Sequence, residues 1–465
     1  MNQTTLEKTD SDIAGAGAQR TQQMLSAPVL PLLVKMASPN AVAFLIQSTV
    51  SMTEVWYVGQ LGTVSLAAMA LMFPWLMLMQ MLSNGAMGGG VTGAVARAVG
   101  ANKVATAERL IWHSLTIAIV VGFGFLGIVL LAMEPLLSLM SSDVEVLAEA
   151  RLYAVILFSG CPLIWSTALM SSVYRGMGNM KFPALLMVLG AVIQIPLSGT
   201  LILGWFGVPS LGIAGAAVSV LVVSATSTIL LLVGLRRRQS LLQLRWSMRS
   251  SERDLYAAIL RVGLPSSISP VLTVSTLSGL NILVGSFGVA ALAGYGIGSR
   301  VEFLVIPLVF GLGVSMNALV GVNLGAGKVK RAVRIGWTGA AVSFVLTGIG
   351  GLAVAIWPEA WAGLFTQDAE TLASAKAYLQ YVGPFFAFQG MGLSLFFASQ
   401  GAGAMTWPLI ATAMRLVVAI GGGVILLYVF DSSLEFIYLA SGLAMVVVGV
   451  MTASALKLGM WEQRR

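Results

Sequence analysis

The chain reads Val58-Gly59-Gln60-Leu61-Gly62, and 226 residues later it reads Val284-Gly285-Ser286-Phe287-Gly288. Each run leads, at the same distance, to a Leu-Ala pair: Leu66-Ala67 and Leu292-Ala293. Other matches keep an offset of 225 or 226 residues and include Lys35 with Arg261, Pro39 with Pro265, Tyr153 with Tyr378, and Gly176 with Gly401. A solenoid would show many short repeats, whereas two long copies indicate a duplicated membrane domain.

The composition is that of a membrane protein. Of 465 residues, 57% are hydrophobic and 9% are charged, whereas roughly a quarter of the residues of soluble proteins are charged. The net charge of +8 does not indicate nucleic-acid binding, because the basic residues lie between apolar runs and not on a polar fold. One cysteine, Cys161, and one histidine, His113, exclude a disulfide framework and a Cys/His metal cluster. We therefore predict no metal, no cofactor and no nucleic-acid partner.

Twelve apolar stretches are long enough to cross a bilayer, which takes roughly 20 residues. Six lie in each half, at 32–57, 66–95, 110–132, 147–173, 182–204 and 211–235, and at 257–284, 291–320, 333–356, 373–399, 407–430 and 434–458. An even number per half means that both halves enter the membrane from the same side. The expected fold is an all-α polytopic membrane protein with 12 transmembrane helices in two parallel six-helix bundles related by pseudo-two-fold symmetry.

The spans also set the expected domains. These are a disordered cytoplasmic tail (1–27), an N-terminal lobe (28–235), a basic cytoplasmic linker (236–256), a C-terminal lobe (257–458) and a short cytoplasmic tail (459–465). The first 27 residues are polar and lack an apolar h-region, so they do not resemble a signal peptide.

Loop charges predict the orientation, because short loops rich in Lys and Arg remain in the cytoplasm. One set of loops is basic and carries, among others, Arg97, Lys103, Arg175, Lys181, seven arginines between positions 236 and 261, Lys328 and Arg331. The opposite set is acidic and carries Glu134, Asp143, Glu359 and Asp368. We therefore expect a multi-pass protein of the bacterial inner membrane with both termini in the cytoplasm. The basic linker is interpreted as a topology anchor, with binding of anionic lipid headgroups as the alternative.

Known energy-supplying motifs are absent from the sequence. The nearest match to a nucleotide-binding phosphate loop, Gly325-Ala326-Gly327-Lys328-Val329, lacks the first glycine and the hydroxyl residue that magnesium requires. The spans offer no nucleophile with its base and no paired carboxylates, so an enzyme is not expected. Any pump built from this chain would have to use an ion gradient.

Two acidic residues lie within predicted spans, Glu54 in span 1 and Glu302 in span 8. A charged side chain at the bilayer centre costs about 2.5–3.5 kcal/mol, so such residues usually face a cavity and have a function. We predict that both carboxyl groups couple transport to an ion by loading a proton on one side and releasing it on the other. The alternatives are that Glu302 pairs with Arg415 of span 11, and that Glu54 is shallow enough to reach headgroup water.

Polar and aromatic side chains in apolar spans are candidate substrate contacts. They are Gln47, Gln194, Asn281 and Gln389 among the amides, and Trp165, Tyr295 and Phe385 among the aromatic residues. Aromatic faces attract organic cations by about 0.5–2 kcal/mol each. For any single residue, ordinary helix packing is the alternative. Pro39 and Pro265, at matching positions of spans 1 and 7, are predicted to let these helices bend.

Several motifs stand in register on these spans. They are the paired Val-Gly-x-x-Gly-x-x-x-Leu-Ala runs, the Gly-Ala-x-Lys turns at 100–103 and 325–328, the turns Arg175-Gly176-Met177-Gly178 and Gln400-Gly401-Ala402-Gly403, and the run Gly212-Ile213-Ala214-Gly215-Ala216-Ala217. Together they resemble the multidrug and toxic compound extrusion (MATE) family over about residues 30–458. The resemblance implies a V-shaped carrier of two six-helix bundles that works by alternating access. It also implies export of organic, often cationic, compounds in exchange for protons or sodium.

The resemblance also bears on the coupling ion. Many bacterial members carry an aspartate at the position of Glu54, and some carry an acidic residue at that of Glu302. Acidic residues that other branches use in spans 5, 7 and 10 are absent: Ala191 and Ile195 stand in span 5, and residues 261–285 and 377–399 contain none. Because sodium needs several oxygen ligands whereas a proton needs one carboxylate, we expect proton coupling rather than sodium coupling.

The expected partners are a small organic substrate and membrane lipids, and we expect a monomer. Two other functions stay open. A lipid-linked oligosaccharide flippase of the same superfamily would typically have more spans and a cavity lined by cations, whereas this chain has almost no Lys or Arg inside its spans. A membrane scaffold that transports nothing would not need a buried carboxylate in each half.

Overall fold

The computed structural model describes residues 17–140, 143–236, 241–245 and 251–462. Within these ranges every regular element is a helix. In the first half they are α1 (17–26), α2 (Val29–Gly59), α3 (Thr63–Gln80), α4 (Gly88–Gly100), α5 (Val104–Met140), α6 (Val144–Ser159), α7 (Cys161–Gly176), α8 (Lys181–Leu203) and α9 (Ile213–Arg236). In the second half they are α10 (Arg253–Gly285), α11 (Val289–Gly325), α12 (Val329–Ile356), α13 (Pro358–Ala362), α14 (Ala369–Val382), α15 (Phe386–Ala402), α16 (Thr406–Leu416), α17 (Gly422–Tyr428) and α18 (Leu434–Lys457).

The apolar runs fold as helices because a bilayer offers no partners for backbone N–H and C=O groups, and a helix pairs these groups within one segment. Eleven helical segments of the described residues are long and apolar enough to span a membrane. Counting the bent pair α6 and α7 as one further span brings the number to 12. The predicted all-α fold with 12 spans is therefore confirmed.

Three spans are irregular. α6 and α7 meet at 49° around Gly160, and Pro162 at the start of α7 has no N–H to continue the bonding of α6. Segments of π-helix interrupt two other spans, at Met81–Met87 between α3 and α4 and at Val417–Gly421 between α16 and α17. Such segments widen the helix by one residue per turn and often lie near functional residues.

The chain forms two compact units. Of the described residues, 17–23 and 42–260 belong to the first unit, and 24–41 with 261–462 belong to the second. The bounds of these units differ from those of the predicted lobes at residues 28–41 and 257–260. The cause is that α2 and α10 each run unbroken through a unit boundary, so that one helix contributes to both units.

The predicted disordered tail is wrong for its last residues, which form α1. Met24 is 2% exposed, and its carbonyl oxygen accepts a hydrogen bond from Asn323 Nδ2 at 3.1 Å. The next carbonyls are bound by basic side chains, since Lys328 Nζ donates to the oxygen of Leu25 at 3.1 Å. Charged loop residues thus supply the partners that this polar segment needs. Residues 1–16 of the predicted tail lie outside the described range.

Glycine allows the closest helix contacts. A Cβ atom at Gly401 of α15 would lie 2.2 Å from the backbone oxygen of Asn317 in α11, and a Cβ atom at Gly313 would lie 2.4 Å from Phe397. The two helices therefore pack at a distance that only glycine permits at these positions.

We predict that Gly401→Ala lowers the stability of the chain by about 1–3 kcal/mol, because the added methyl group must displace backbone atoms. Gly296→Ala is the matched control, since a Cβ atom there would meet nothing within 4 Å. Thermal unfolding of both variants in the same detergent tests this. Equal melting temperatures for the two variants would contradict the packing described here.

Candidate functional site

In the first unit, a buried carboxylate is enclosed by polar side chains from two other helices. Glu54 of α2 is 7% exposed. Its Oε1 accepts a hydrogen bond from Gln194 Nε2 at 2.8 Å and another from Ser198 Oγ at 3.0 Å, both from α8. Ser219 Oγ of α9 lies 3.5 Å from the same oxygen. Protein donors therefore bind Oε1 of the buried Glu54 side chain, and the alternative of access to headgroup water stays open.

The hydroxyl groups form a short chain that ends on Glu54. Ser198 Oγ and Ser219 Oγ are 2.7 Å apart. A hydroxyl has one proton to donate, and either serine can be the donor between them, because Ser219 Oγ also lies 2.8 Å from the Ala216 carbonyl oxygen. Tyr153 of α6, which is 2% exposed, lies close enough to interact electrostatically with Glu54. Four helices of the first unit thus surround one carboxyl group.

The sequence explains how these side chains meet. Gln194 and Ser198 are four residues apart on α8, which places them on the same helix face. α9 comes close to α8 at Gly215, where a Cβ atom would lie 2.6 Å from the backbone of Leu201. Ser219 is one turn further along α9, and the close approach brings it to Ser198.

The second unit holds its carboxylate differently. Glu302 of α11 is half-buried, and its Oε1 accepts a hydrogen bond from Tyr378 Oη at 2.7 Å. The Tyr378 ring belongs to an aromatic cluster with Tyr295 and Tyr438, at centroid distances of 5.2 Å to each. Arg415 of α16 interacts electrostatically with Tyr295 and Tyr378.

A small cavity adjoins this carboxylate. It measures about 20 Å³ and is lined by Glu302, Thr347, Phe386 and Gln389, with apolar neighbours. The buried Gln389 Oε1 has no hydrogen-bond partner among the described residues. A cavity of this size has room for one water molecule, which could bond both polar side chains.

Each unit also buries an arginine. Arg175 at the end of α7 is 2% exposed, and Arg415 is 6% exposed. Among the described residues these two are the buried Lys or Arg side chains, and Arg415 lies in span 11 as the sequence indicated. The expected pair of Arg415 with Glu302 is not among the ion pairs within 4.0 Å that the described residues form. The Glu302 oxygen is instead bound by Tyr378.

The surroundings of Arg175 are almost apolar. Its guanidinium carbon lies 5.9 Å from the centre of the Phe44 ring, and its Nη2 lies 4.0 Å from Met187 Sδ. Thioether sulfur is a weak acceptor, and Arg175 Nε has no hydrogen-bond partner in the described part of the chain. The duplicated position in the second unit is neutral, because Gln400 stands there and accepts from Asn317 Nδ2 at 3.2 Å.

The predicted substrate residues lie at several places. Gln194 binds Glu54, while Gln389 and Tyr295 lie beside the Glu302 site. Trp165 is 1% exposed in the core of the first unit, 6.4 Å from the ring of Phe125. Of the remaining three, Gln47 is half-buried, Asn281 is exposed, and Phe385 packs on Gly442 and against the hydrophobic cluster that contains Tyr378. Pro39 and Pro265 both lie inside long helices, α2 and α10, and bending at these prolines stays a prediction.

Three important residues were missed from the sequence. Ser198 and Ser219 gave no signal, because serine is common in membrane helices and their pairing depends on how α8 and α9 pack. Tyr378 did give one, since it is the duplicate of Tyr153 at an offset of 225. Tyr378 donates a hydrogen bond to the carboxylate of its unit, whereas Tyr153 interacts with Glu54 only electrostatically.

The same duplication appears in a comparison with known families. The family model described as MatE matches residues 39–200 and again residues 265–425, which is more than half of the chain. The chain belongs to the MATE family. The two matches begin 226 residues apart, the offset at which the sequence motifs repeat. It is therefore a multi-pass membrane protein of a transporter family.

Individual MATE relatives have low sequence identity to this chain, but the matches cover most of both chains. A probable multidrug resistance protein NorM of Thermotoga maritima is 27% identical over 394 residues, covering 83% of this chain and 82% of the relative. An FAD transporter of Shewanella oneidensis is 24% identical, covering 81% and 82%. The solved structure of a MOP superfamily transporter from Pyrococcus furiosus has a TM-score of 0.87 at 23% identity, covering 94% of this chain and 97% of that one. At this identity the structural likeness shows the fold.

We predict that Ser198→Ala destabilises the chain by about 1–3 kcal/mol, because it removes a buried donor from the Glu54 carboxylate. Ser38→Ala is the control, since that exposed hydroxyl bonds only the Val34 carbonyl of its own helix. Melting temperatures should fall for the first variant and stay within error for the second. In a Glu54→Gln background the effect of Ser198→Ala should shrink, and an unchanged effect would show that the two side chains do not interact.

Proposed function

We propose that this chain is a secondary antiporter of the bacterial inner membrane, with both termini in the cytoplasm. It exports organic, cationic or amphipathic compounds in exchange for protons by alternating access. The observation that carries the proposal is the enclosed carboxyl group of Glu54, 7% exposed among donors from α8 and α9. Because a charged side chain inside a membrane span is energetically costly, a carboxylate at such a position is expected to have a function.

Membership of the MATE family supports the transport function, and the names of relatives support the substrate class. The Thermotoga maritima relative is named as a multidrug resistance protein. Multidrug carriers need a surface that adapts to many shapes, and aromatic and apolar side chains provide it. The cavity beside the Glu302 carboxylate is lined by Phe386 and apolar side chains, which are of this kind.

The groups around Glu54 favour a proton over sodium. Oε1 is bonded by an amide N–H and a hydroxyl, which are donors, whereas a sodium ion needs several oxygen acceptors at once. No group of three or more His, Cys, Asp or Glu side chains that could hold a metal ion occurs among the described residues. A proton needs only the carboxylate itself, and the donors from Gln194 and Ser198 stabilise the ionised form after release.

The exported compound is exchanged for a proton if both act on the same carboxyl group, that of Glu54. Loss of the proton leaves a charge on Glu54 that the hydroxyl chain from Ser219 through Ser198 stabilises. Return of the proton removes this charge and weakens those hydrogen bonds, so the packing of α2 against α8 and α9 differs between the two states. Pro39 of α2 and Pro265 of α10 lie within four residues of the points where these helices pass between units, where bending would be most useful.

We predict that Glu54→Gln abolishes proton-coupled export, because glutamine cannot bind and release a proton. Glu302→Gln is expected to reduce export as well, and Glu149→Gln is a control at a carboxylate outside the two sites. Efflux of a fluorescent organic cation from energised everted vesicles measures this. The coupling assignment is wrong if Glu54→Gln and Glu302→Gln both transport like the parent. The ion assignment is wrong if efflux survives collapse of the proton gradient and stops without sodium.

A second candidate substrate class is favoured by the buried arginines. Arg175 has no carboxylate within 4.0 Å in the described residues, and an unpaired buried cation is costly. An anionic group on the cargo, such as a carboxylate or phosphate, would pair with it. The Shewanella oneidensis relative is named an FAD transporter, and FAD carries phosphate groups. Zwitterionic or anionic cargo, including the lipid-linked substrates of the flippase alternative, is therefore the runner-up.

Arg175→Gln tests this second class, because glutamine stands at the duplicated position 400 and fits that environment. If Arg175 binds an anionic group, the variant should lose efflux of a zwitterionic dye by about tenfold or more and retain efflux of a purely cationic dye. Arg175→Lys keeps the charge, so its efflux of the zwitterionic dye should lie between that of the parent and that of Arg175→Gln. Equal loss of both dyes would show a structural role, and no loss of either would exclude a role in cargo selection.

A further inference from the structure

The single histidine of the chain joins two helices that lie far apart in sequence. His113 of α5 is fully buried, at 0% exposure. Its Nδ1 lies 2.8 Å from the carbonyl oxygen of Arg109, and its Nε2 accepts a hydrogen bond from the backbone N–H of Glu252 at 3.0 Å. Glu252 immediately precedes α10. Both ring nitrogens are therefore used, one within α5 and one across to α10.

These two contacts determine the protonation state of the ring. The Arg109 carbonyl can only accept, so Nδ1 must carry a proton. The Glu252 N–H can only donate, so Nε2 must be bare. A neutral imidazole with its proton on Nδ1 satisfies both contacts. An imidazolium carries a proton on each nitrogen, and its Nε2–H would point at the Glu252 N–H, so that this hydrogen bond is lost.

Neighbouring contacts hold the same segment in place. Arg109 Nη1 pairs with Glu252 Oε1 at 2.6 Å, and the Tyr256 ring of α10 lies 4.4 Å from the His113 ring. The Glu108 carboxylate accepts from the Gln243 N–H of the linker at 3.0 Å. Further contacts of the same kind are Trp112 Nε1 with the Arg245 carbonyl and Arg97 Nη2 of α4 with the Ala258 carbonyl.

The charged groups near the ring have partners of their own. The Glu252 carboxylate, directly before α10, is paired with Arg109. The Glu108 carboxylate is 6% exposed and binds the linker backbone at Gln243. Arg109 lies on the same face of α5 as His113, four residues away.

We propose that His113 is a pH-sensitive clasp, which binds the backbone N–H of Glu252 directly before α10 when neutral and loses this hydrogen bond when protonated. The contact lies at the end of α10 that belongs to the first unit, before residue 261. Acidification on the side of the membrane that bears this contact would thus weaken the attachment of the start of α10 to α5. The clasp is a regulatory device of the fold and does not depend on which compound is transported.

Hydrogen exchange of the purified full chain in lipid nanodiscs tests the clasp. After correction for the intrinsic pH dependence of exchange, a peptide covering residues 251–260 should exchange about tenfold faster at about pH 5 than at about pH 8, because a hydrogen bond to a buried acceptor is lost. His113→Gln keeps an acceptor in place of Nε2 but cannot be protonated, so its exchange should not change in this way. Equal exchange of the parent at both pH values would overturn the proposal, and so would a Gln variant that responds like the parent.

A second measurement needs no variant. Because the chain has one histidine, labelling with ¹⁵N-histidine gives a single pair of ring nitrogen signals. At neutral pH these signals should report the tautomer with its proton on Nδ1, which is the less common form of a free imidazole. A ring with its proton on Nε2 could not accept from Glu252, and that result would contradict the clasp.

Discussion

The burial of a carboxylate among apolar helices is the constraint on which the rest of the structure depends. Glu54 can occupy its place in α2 only because Gln194 and Ser198 supply donors from α8. Gly215 lets α9 come close to α8, and the Ser219 hydroxyl of α9 contacts Ser198. Helix packing, glycine placement and the polar residues of three helices thus form one arrangement around one charge.

The residues that repeat between the two halves of the chain do not include the two carboxylates proposed to couple transport. Residues that repeat at an offset of 225 or 226 include the turns, the prolines of α2 and α10, and the paired tyrosines Tyr153 and Tyr378. The carboxylates do not repeat: Glu54 comes from the first helix of its unit and Glu302 from the second helix of the other. Each repeated tyrosine interacts with the carboxylate of its unit, Tyr378 by a hydrogen bond to Glu302 and Tyr153 electrostatically with Glu54.

The sequence predicted the features that the bilayer enforces, and it missed those that depend on packing. The 12 spans and both intramembrane carboxylates could be read directly, because hydropathy and the cost of buried charge act on single segments. Ser198 and Ser219 could not, since their role depends on the contact of α8 with α9. The passage of α2 and α10 between units could not be seen either, because helix continuity carries no hydropathy signal. Arg175 was assigned to a loop, although it lies in the last turn of α7 and is buried by its neighbours.

The central claim is that Glu54 exchanges its proton when the transported compound binds. Proton release on binding can be measured directly, by adding an organic cation to the purified chain in weakly buffered solution with a pH indicator. The parent should release protons in proportion to the compound bound, and Glu54→Gln should bind with little or no release from this site. If Glu54→Gln releases as many protons per bound compound as the parent, the proton comes from elsewhere and the account given for Glu54 is wrong.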